Sequence, residues 1–417
     1  MSKLVINGGQ KLKGKIFIHG AKNSALPILA AAIMCNGETV IHNCPSLSDV
    51  MASIKILKYL GCKVKKEGNT ISVNSEVIIN SDIPQELMHE MRSSIIFLGA
   101  LLARCKKTKL SFPGGCELGP RPIDLHISAL KKMGVIINEE HGFLNCSIKN
   151  KLKGSKIALS FPSVGATENI LLAAVTAKGR TIITNVAREP EIVDLANFLI
   201  NCGAKIKGAG TDNIYIEGVS KLSPCEHFVI PDRIAAATFM SAVAITQGDA
   251  LISGINSKHL SMITPIFEEA GCNLIISENN IRIKSENRLN GISTIRTMPY
   301  PGFPTDLQAP TMAMCTLSNG TSVFVENIFE SRYKHVCELN RLGAKISVEG
   351  KVAVVSGVDK LSGAITRCTD LRGGAALVIA GLAAEGTTEI LDINHIDRGY
   401  DHIETTLQSL GANIKRE

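Results

Sequence analysis

The sequence contains no tryptophan, and its other aromatic residues are 12 phenylalanines and 5 tyrosines among 417 residues. Surfaces that bind single-stranded nucleic acid stack the bases on aromatic side chains, so this composition gives little support to such a surface. The net charge of +7 is modest for a chain of this length. It suits either a nucleic acid or a small polyanion, and the positions of the basic residues must distinguish the two.

Long hydrophobic runs are also missing. No stretch approaches the roughly 18 uncharged apolar residues of a membrane-spanning helix. Ser2, Lys3 and Asn7 make the first residues too polar for the apolar part of a signal peptide. Hydrophobic residues at 45% and charged residues at 20% are typical of a globular protein. We therefore expect a cytoplasmic protein that does not insert into a membrane.

The 12 cysteines include no Cys-x-x-Cys pair and no Cys/His spacing typical of a metal site. Most lie in apolar runs, as Cys315 does after Met314, where a free thiol behaves as a small hydrophobic side chain. In a reducing compartment we expect them to remain thiols. The sequence predicts neither a metal site nor a cofactor.

One short pattern recurs six times: an amphipathic stretch, a glycine and then a strand-like run. The six glycines are Gly61, Gly134, Gly203, Gly271, Gly343 and Gly411. Intervals of 68 to 73 residues between them indicate an internal repeat. Each copy also has an earlier Ala-rich helix that ends before a β-branched strand. A glycine such as Gly37 or Gly179 marks this end, but the second copy has Lys106-Lys107 instead.

The repeat therefore follows the order βαβαββ, which predicts an α/β (α+β) fold. Three copies can close around a shared core, so six copies predict two similar domains, as the length also favours. The last copy has few residues beyond Gly411, and a strand-like segment at 3–18 could supply its missing strand. We expect one domain at 21–229, with the first three repeats and the Cys116 loop. The other combines 1–20 with 230–417 and holds repeats four to six.

Basic residues occupy several of the expected helix starts. Counting back one helix length from each turn gives Lys22, Arg92, Gly165, Arg233, Asp306 and Arg372 for the first helices, and Ser48, Arg121, Pro190, Lys258, Glu330 and Arg398 for the second. Helix capping accounts for Ser48, Asp232, Asp306 and Asp370. It does not account for the cations, which oppose the helix dipole. Five cations at equivalent places, Lys22, Arg92, Arg121, Arg372 and Arg398, predict a binding site for a multiply charged anion.

Residues 113–122 hold three prolines and three glycines, too many for a helix or a strand. This segment contains Cys116 near basic residues, a setting that makes a thiol reactive. Another Gly-rich segment, 9–15, has the spacing of a phosphate-binding P-loop. Ile16 replaces the Ser or Thr that would hold magnesium, so we interpret this second segment as a surface hairpin.

An ordered set of motifs resembles the enolpyruvyl transferase family, and within it the members that act on UDP-N-acetylglucosamine. The motifs are GAKNS at 20–24, MRSS at 91–94, PGGC at 113–116, GPRPIDLH at 119–126, SVGATEN at 163–169, AREPE at 187–191, PDR at 231–233, FPTD at 303–306, ESRY at 330–333, TDLR at 369–372 and HIDRGY at 395–400. The resemblance covers the whole chain. One departure is Phe161-Pro162, where some relatives carry a lysine.

The resemblance implies a fold of two domains, each an inside-out α/β barrel of three repeats. It also implies transfer of the enolpyruvyl group of phosphoenolpyruvate to the 3-hydroxyl of UDP-N-acetylglucosamine, with release of phosphate. This is the first committed step of peptidoglycan synthesis. Cys116 would act as acid and covalent residue and Asp306 as base, together with Lys22 and Arg398. No metal, nucleic acid or membrane partner is implied.

The same resemblance assigns binding residues. For phosphoenolpyruvate they are Lys22, Asn23, Arg121, Arg332, Arg372 and Arg398. For UDP-N-acetylglucosamine they are Asn23, Arg92, Arg121, Pro122, Asp124, Leu125, Ser163, Val164, Gly165, Thr305, Asp306 and Ile328.

Three alternatives stay open at this point. A sister enzyme that uses shikimate 3-phosphate shares the fold but has no comparable cysteine loop. A ring-shaped DNA clamp also suits six α/β repeats and a positive charge, but it needs basic residues spread over the helix faces that line its hole. An inactive sugar-nucleotide sensor would have no need of Cys116, Asp306 and Lys22.

Overall fold

The computed structural model describes residues 2–91, 93–112 and 123–417. Four of the predicted site residues, Arg92, Cys116, Arg121 and Pro122, lie outside the described residues. None of the described helices is both long and apolar enough to span a membrane.

The strands are β1 (Leu4–Asn7), β2 (Lys13–Phe17), β3 (Glu38–His42), β4 (Lys63–Glu67), β5 (Thr70–Asn74), β6 (Lys107–Ser111), β7 (Ile136–Glu140), β8 (Phe143–Ser147), β9 (Lys156–Ala158), β10 (Arg180–Thr184), β11 (Lys205–Lys207), β12 (Asn213–Glu217), β13 (Glu226–Phe228), β14 (Asp249–Ser253), β15 (Asn273–Ser277), β16 (Asn280–Lys284), β17 (Thr294–Arg296), β18 (Thr321–Val325), β19 (Lys345–Glu349), β20 (Val352–Ser356), β21 (Ile365–Arg367), β22 (Thr387–Leu391) and β23 (Asn413–Arg416).

The α-helices are α1 (Lys22–Ala32), α2 (Ser48–Leu60), α3 (Gln85–Glu90), α4 (Phe97–Cys105), α5 (Asp124–Lys132), α6 (Val164–Ala174), α7 (Pro190–Asn201), α8 (Arg233–Ile245), α9 (Thr264–Glu269), α10 (Gln308–Cys315), α11 (Val336–Arg341), α12 (Leu371–Ala383) and α13 (Ile403–Ser409). Short 3-10 helices occur at Ser94–Ile96, Ser257–Leu260, Thr305–Leu307 and Ile393–Arg398.

The third repeat shows the common pattern, β9-α6-β10-α7-β11-β12. Its sheet has the order β11-β12-β10-β9, with β9 parallel to β10 and the other pairs antiparallel. The strands alternate buried and exposed residues, so each sheet covers the core with one face. This confirms the predicted βαβαββ order and the α/β class.

Three sheets are completed by strands from distant parts of the chain. β13 pairs in parallel with β3, and β2 pairs in parallel with β14. β1 lies between β22 and β23 and supplies the missing strand of the last repeat. The hairpin interpretation of residues 9–15 is therefore wrong, because β1 and β2 belong to different sheets.

The chain divides into two compact units. One contains the described residues of 20–230, and the other combines 2–19 with 231–417. In the first unit, α4 packs against α1 and α6; in the second, α8, α10 and α12 pack against one another. All residues of α8 are buried, which explains why these helices are apolar on every side.

The repeated glycines end helices in the left-handed conformation. All six turn glycines have positive φ, from 90° at Gly411 to 107° at Gly61. Lys106 takes the place of the glycine that ends the first helix in other repeats, such as Gly37 or Gly179. It also has a positive φ, 66°, and ends α4. Glycine takes this conformation at little cost, so the periodic glycines were a reliable signal of the repeat.

The predicted helix starts are confirmed for most of the first helices. Lys22 and Arg233 begin α1 and α8, while Gly165 and Arg372 are second in α6 and α12. Asp232 and Asp370 are N-caps, and their carboxylates accept backbone N–H bonds. Ser48 was expected to be a cap, but α2 begins with Ser48 itself and its N-cap is Leu47.

The second helices of the last three repeats begin later than predicted. Lys258 lies in a 3-10 helix and Glu330 in a turn, while Arg398 is the last residue of the 3-10 helix Ile393–Arg398. Gly399 and the buried Tyr400 then depart from helical geometry before α13 begins. The prediction failed because contacts of these segments with the core override local helix preference.

Candidate functional site

In the unit of residues 20–230, Lys22 is a nearly buried cation at the start of α1, only 9% exposed. Its Nζ lies 3.3 Å from Oδ2 of Asp49, in the first turn of α2. No side chain caps α1 at Ala21. The Asp49 carboxylate therefore offsets part of the cost of a cation beside the positive end of the helix. Asn23, the next residue, is half-buried.

Acidic residues at the starts of α6 and α7 form a cluster that the sequence did not predict. Burial raises the pKa of Glu168 well above its ordinary value, and the carboxylates of Glu191 and Glu189 raise it further. The folded protein therefore favours the protonated form of Glu168. The motifs SVGATEN and AREPE contain these residues, but only the fold brings them together.

We predict that Glu168→Gln removes a pH-dependent loss of stability. Glu168 in the unfolded chain ionises near its ordinary pKa of 4.5, whereas the folded protein holds the proton to a higher pH because the pKa is raised. The free energy of unfolding therefore decreases as pH rises above about 4.5, by up to about 1.4 kcal/mol per pH unit. The variant has no carboxyl group at this position, so this decrease with pH is absent. Its free energy of unfolding relative to that of the parent should therefore increase between pH 5 and pH 8, as measured by denaturant unfolding.

Glu217→Gln is the control, because Glu217 lies on the surface, paired with Arg180 at 3.2 Å. A stability difference between Glu168→Gln and the parent that stays constant with pH would contradict the raised pKa of Glu168.

The starts of α5 and α6 lie side by side in the same unit. Ser163 caps α6, and its Oγ accepts a bond from the backbone N–H of Ala166 at 3.3 Å. A Cβ on Gly165 would lie 3.1 Å from Cε1 of His126, a tight contact, so glycine allows this approach without displacing the ring. The structure thus brings Ser163, Val164 and Gly165 close to the first turn of α5, where Asp124 is exposed and Leu125 half-buried.

His126 fixes this arrangement, although no role was predicted for it. Burial lowers the pKa of His126 to about 4, so the ring is neutral at physiological pH. Asn169 Nδ2 donates to His126 Nδ1 at 2.9 Å, which leaves the proton on Nε2. Asn169 Oδ1 accepts from the backbone N–H of Gly99 at 2.7 Å. One amide therefore connects α4, α5 and α6.

In the unit of residues 2–19 and 231–417, Asp306 lies between two buried arginines. Arg332 Nη2 donates to Asp306 Oδ1 at 3.0 Å, and Arg372 donates to Oδ2 from Nε at 3.2 Å and from Nη2 at 2.9 Å. The Asp306 side chain is 27% exposed, whereas both arginine side chains are 3% exposed. Asp306 lies inside the 3-10 helix Thr305–Leu307, and no side chain caps α10, so the capping interpretation of Asp306 is wrong.

Arg372 is held by a chain of hydrogen bonds. Its Nη1 donates to the Tyr400 hydroxyl at 3.0 Å, and that hydroxyl lies 2.8 Å from Thr238 Oγ1. Thr238 Oγ1 donates its proton to the carbonyl of Ile234, so Tyr400 must donate to Thr238. Burial lowers the pKa of Arg372, but Asp306 and Tyr400 outweigh it and raise the pKa above its ordinary value. Arg372 is therefore a fixed, permanent cation.

Glu326 positions two more predicted residues and was missed by the sequence. Its Oε2 accepts from Thr305 Oγ1 at 3.0 Å, and its Oε1 accepts from the backbone N–H of Ile328 at 2.8 Å. Phe329 N and Thr297 Oγ1 donate to the same Oε1. Glu326 is 1% exposed and directly follows β18, a buried carboxylate whose partners come from three separate segments.

Arg398 is half-buried at the end of the helix Ile393–Arg398, which packs against α12. The preceding residue, Asp397, accepts two hydrogen bonds from Arg416, at 2.9 and 2.7 Å. This bidentate pair fixes the end of the helix and so the backbone that carries Arg398.

Arg332 and His335 are among the buried residues of this unit that have unsatisfied polar atoms. Both ring nitrogens of His335 and Nε of Arg332 have no hydrogen-bond partner among the described residues. Burial lowers the pKa of His335 to about 4, so it adds no charge. A buried guanidinium N–H without a partner is costly, and an anionic ligand would satisfy it. Within the described part of the chain, no group of three or more His, Cys, Asp or Glu side chains forms a metal site.

Residues 6–407 match the family EPSP synthase (3-phosphoshikimate 1-carboxyvinyltransferase). The chain belongs to the EPSP synthase family. A relative from Caldanaerobacter subterraneus subsp. tengcongensis, named UDP-N-acetylglucosamine 1-carboxyvinyltransferase 2, is 51% identical over 100% of both chains. UDP-N-acetylglucosamine 1-carboxyvinyltransferase 1 of Symbiobacterium thermophilum is 48% identical over 99% of this chain and 95% of the relative.

The fold of this EPSP synthase family member is also found in a crystal structure of the enolpyruvyl transferase NikO from Streptomyces tendae. The TM-score is 0.91, with 24% identity and coverage of 100% of this chain and 98% of the other. This likeness confirms the predicted enolpyruvyl transferase fold.

Proposed function

We propose that this member of the EPSP synthase family transfers the enolpyruvyl (1-carboxyvinyl) group of phosphoenolpyruvate to the 3-hydroxyl of UDP-N-acetylglucosamine. The observation that carries the proposal is the 51% identity, over the full length of both chains, with a relative named for this transfer. Its role in the cell would be the first committed step of peptidoglycan synthesis. A cytoplasmic location is part of the proposal.

The other hypotheses are less well supported. Relatives at about half identity over nearly the whole chain carry the sugar-nucleotide name, which disfavours shikimate 3-phosphate as the acceptor. Membership of the EPSP synthase family disfavours a DNA clamp. The charged groups also suit a small anion, because Arg332 and Arg372 are buried around one carboxylate and not spread over an exposed surface.

Phosphoenolpyruvate carries two anionic groups, and we assign each to part of the cation set. Lys22, Arg121 and Arg398 would bind the phosphate, and Arg332 and Arg372 the carboxylate. Support for the second assignment comes from the buried Nε of Arg332, which has no partner among the described residues and would donate to a carboxylate oxygen. Asn23 and Arg92 would position the sugar. Asp124, Leu125 and residues 163–165 would hold the uridine diphosphate.

The reaction has two steps. The sugar 3-oxygen bonds to carbon 2 of phosphoenolpyruvate and its proton passes to Asp306, while Cys116 gives a proton to carbon 3. The bond from carbon 2 to the phosphate oxygen then breaks, and phosphate leaves with the proton held by Asp306. The Cys116 thiolate takes back a proton from carbon 3, which restores the double bond. Two guanidinium groups stabilise the Asp306 carboxylate in the free protein. When the substrate carboxylate takes over these donors, Asp306 becomes available to accept a proton.

We predict that Tyr400→Phe weakens phosphoenolpyruvate binding by releasing Arg372. The ring remains, but the hydroxyl that accepts from Arg372 Nη1 is lost. One hydrogen bond to a charged group is worth about 1.5 kcal/mol, so KM for phosphoenolpyruvate should rise about tenfold. KM for the sugar nucleotide should change little. Tyr215→Phe is the control, since Tyr215 is 46% exposed. An unchanged KM for phosphoenolpyruvate would mean that Tyr400 does not position Arg372.

Phosphate release tests the function directly. The enzyme is incubated with phosphoenolpyruvate and, separately, UDP-N-acetylglucosamine, shikimate 3-phosphate or no acceptor. We expect rapid release only with the sugar nucleotide. Phosphate release with shikimate 3-phosphate but not with the sugar nucleotide would favour the sister activity. No release with either acceptor would refute the proposal.

A further inference from the structure

Three cysteine thiols meet in the unit of residues 20–230, away from the residues assigned above. Sγ of Cys202 lies 3.5 Å from Sγ of Cys35 and 3.3 Å from Sγ of Cys225. Cys35 follows α1, Cys202 is the C-cap of α7, and Cys225 immediately precedes β13. These sulfurs come from three distant segments, so the sequence spacing gave no sign of the cluster.

The backbone holds the three thiols in place. Ser223 N donates to the carbonyl of Cys202 at 2.9 Å, two residues before Cys225. Leu222 forms a parallel bridge with Cys35. Backbone contacts thus hold the segment 222–225 next to Cys35 and next to Cys202. The short distances between the sulfurs therefore follow from the backbone structure.

The three thiols differ in access to solvent. Cys35 and Cys202 are 0% and 1% exposed, whereas Cys225 is half-buried next to the exposed Pro224 and Glu226. The Cys202 hydrogen bond and the nearby His227 lower the pKa of Cys225, against the opposing effect of burial. A small oxidant can therefore reach Cys225 first, and its thiolate is the reactive form.

We propose that Cys225 and Cys202 are a peroxide-reactive pair that forms a disulfide. The Cys225 thiolate attacks one oxygen of hydrogen peroxide, the O–O bond breaks, and hydroxide leaves and takes up a proton as water. The product is a sulfenic acid on Cys225. The Cys202 sulfur then attacks the Cys225 sulfur, the S–O bond breaks and a second water leaves. Two thiols are oxidised and one peroxide is reduced to two waters.

The geometry requires only a small movement. The two sulfurs must approach from 3.3 Å to about 2.0 Å, the length of a disulfide bond. Cys35, 3.5 Å from Cys202, is not the first target because it is fully buried. The disulfide would join the end of α7 to the residue before β13.

Peptide mapping tests the proposal on the whole protein. The purified, reduced enzyme is treated with hydrogen peroxide, blocked with an alkylating agent, digested with trypsin and analysed by mass spectrometry. Cys35, Cys202 and Cys225 fall in separate tryptic peptides, 23–55, 189–205 and 222–233. We expect a disulfide-linked species of 189–205 with 222–233 that disappears on reduction. It should form at least about tenfold faster than oxidation of the exposed Cys337.

Serine variants separate the partners. Cys225→Ser and Cys202→Ser should each abolish the linked species, whereas Cys35→Ser should retain it. Thermal unfolding checks that each variant is folded. Peptide mapping of the unaltered protein tests the proposal even if a variant does not fold. Peptides 189–205 and 222–233 that remain unlinked while Cys337 is oxidised would overturn the proposal. A disulfide between peptides 23–55 and 189–205, instead of one between 189–205 and 222–233, would also overturn it.

Discussion

Asp306→Asn should lower kcat by about 10²- to 10⁴-fold, the usual contribution of a general base. Asparagine has nearly the same shape, and its one carbonyl oxygen can still accept from Arg332 or from Arg372, but it cannot take a proton at neutral pH. Affinity for UDP-N-acetylglucosamine should stay close to that of the parent. Steady-state kinetics and isothermal titration with the sugar nucleotide measure the two quantities.

The structure also predicts that Asp306→Asn lowers the stability of the protein. If Asp306 only capped a helix, asparagine would replace it at little cost, because the two residues cap helices about equally well. Asp306 instead neutralises two arginines that are almost fully buried. We expect a loss of about 1–3 kcal/mol, moderated by the partial exposure of Asp306. Asp249→Asn is the matched control, because Asp249 also accepts two bonds from one arginine, Arg282, at the surface. Turnover of Asp306→Asn within a few-fold of the parent would mean that another group is the base.

An epoxide analogue of phosphoenolpyruvate such as fosfomycin should inactivate the enzyme completely by alkylating Cys116. Cys116 lies outside the described residues, so this prediction depends on the sequence: one thiol in a Gly- and Pro-rich segment close to Arg121. A nearby cation favours the thiolate, which opens the epoxide. Mass spectrometry of the tryptic peptide 110–131, which contains Cys116 as its one cysteine, locates the adduct.

Cys337 is the internal control for this alkylation, because it is an exposed thiol on α11. Selective modification of Cys116 in step with loss of activity is the expected result. Loss of activity with Cys116 unmodified and another cysteine alkylated would contradict the assignment.

Features that depend on local backbone geometry could be predicted from the sequence. The turn glycines recur because a left-handed helix end favours glycine, and this made the six repeats visible. Lys22 and Arg372 stood out because cations are unfavourable in the first turn of a helix, and the structure places both there.

Features that depend on contacts between distant segments could not be predicted. The role of Glu326 could not be predicted, because its partners Thr297 and Thr305 come from distant segments that meet it only in the folded chain. The position of Arg398 at the end of a 3-10 helix reflects the burial of Tyr400, whose partner Arg372 belongs to another helix. The thiol cluster around Cys202 is likewise a product of tertiary structure.

The most direct test of the central claim is the identity of the product. The enzyme is incubated with phosphoenolpyruvate and UDP-N-acetylglucosamine, and the nucleotide fraction is analysed by mass spectrometry and NMR. We predict that the sugar nucleotide gains one enolpyruvyl group, attached through its 3-oxygen, in equal amount to the phosphate released. Unchanged UDP-N-acetylglucosamine, with the enolpyruvyl group transferred to shikimate 3-phosphate when that acceptor is supplied, would contradict the proposed function.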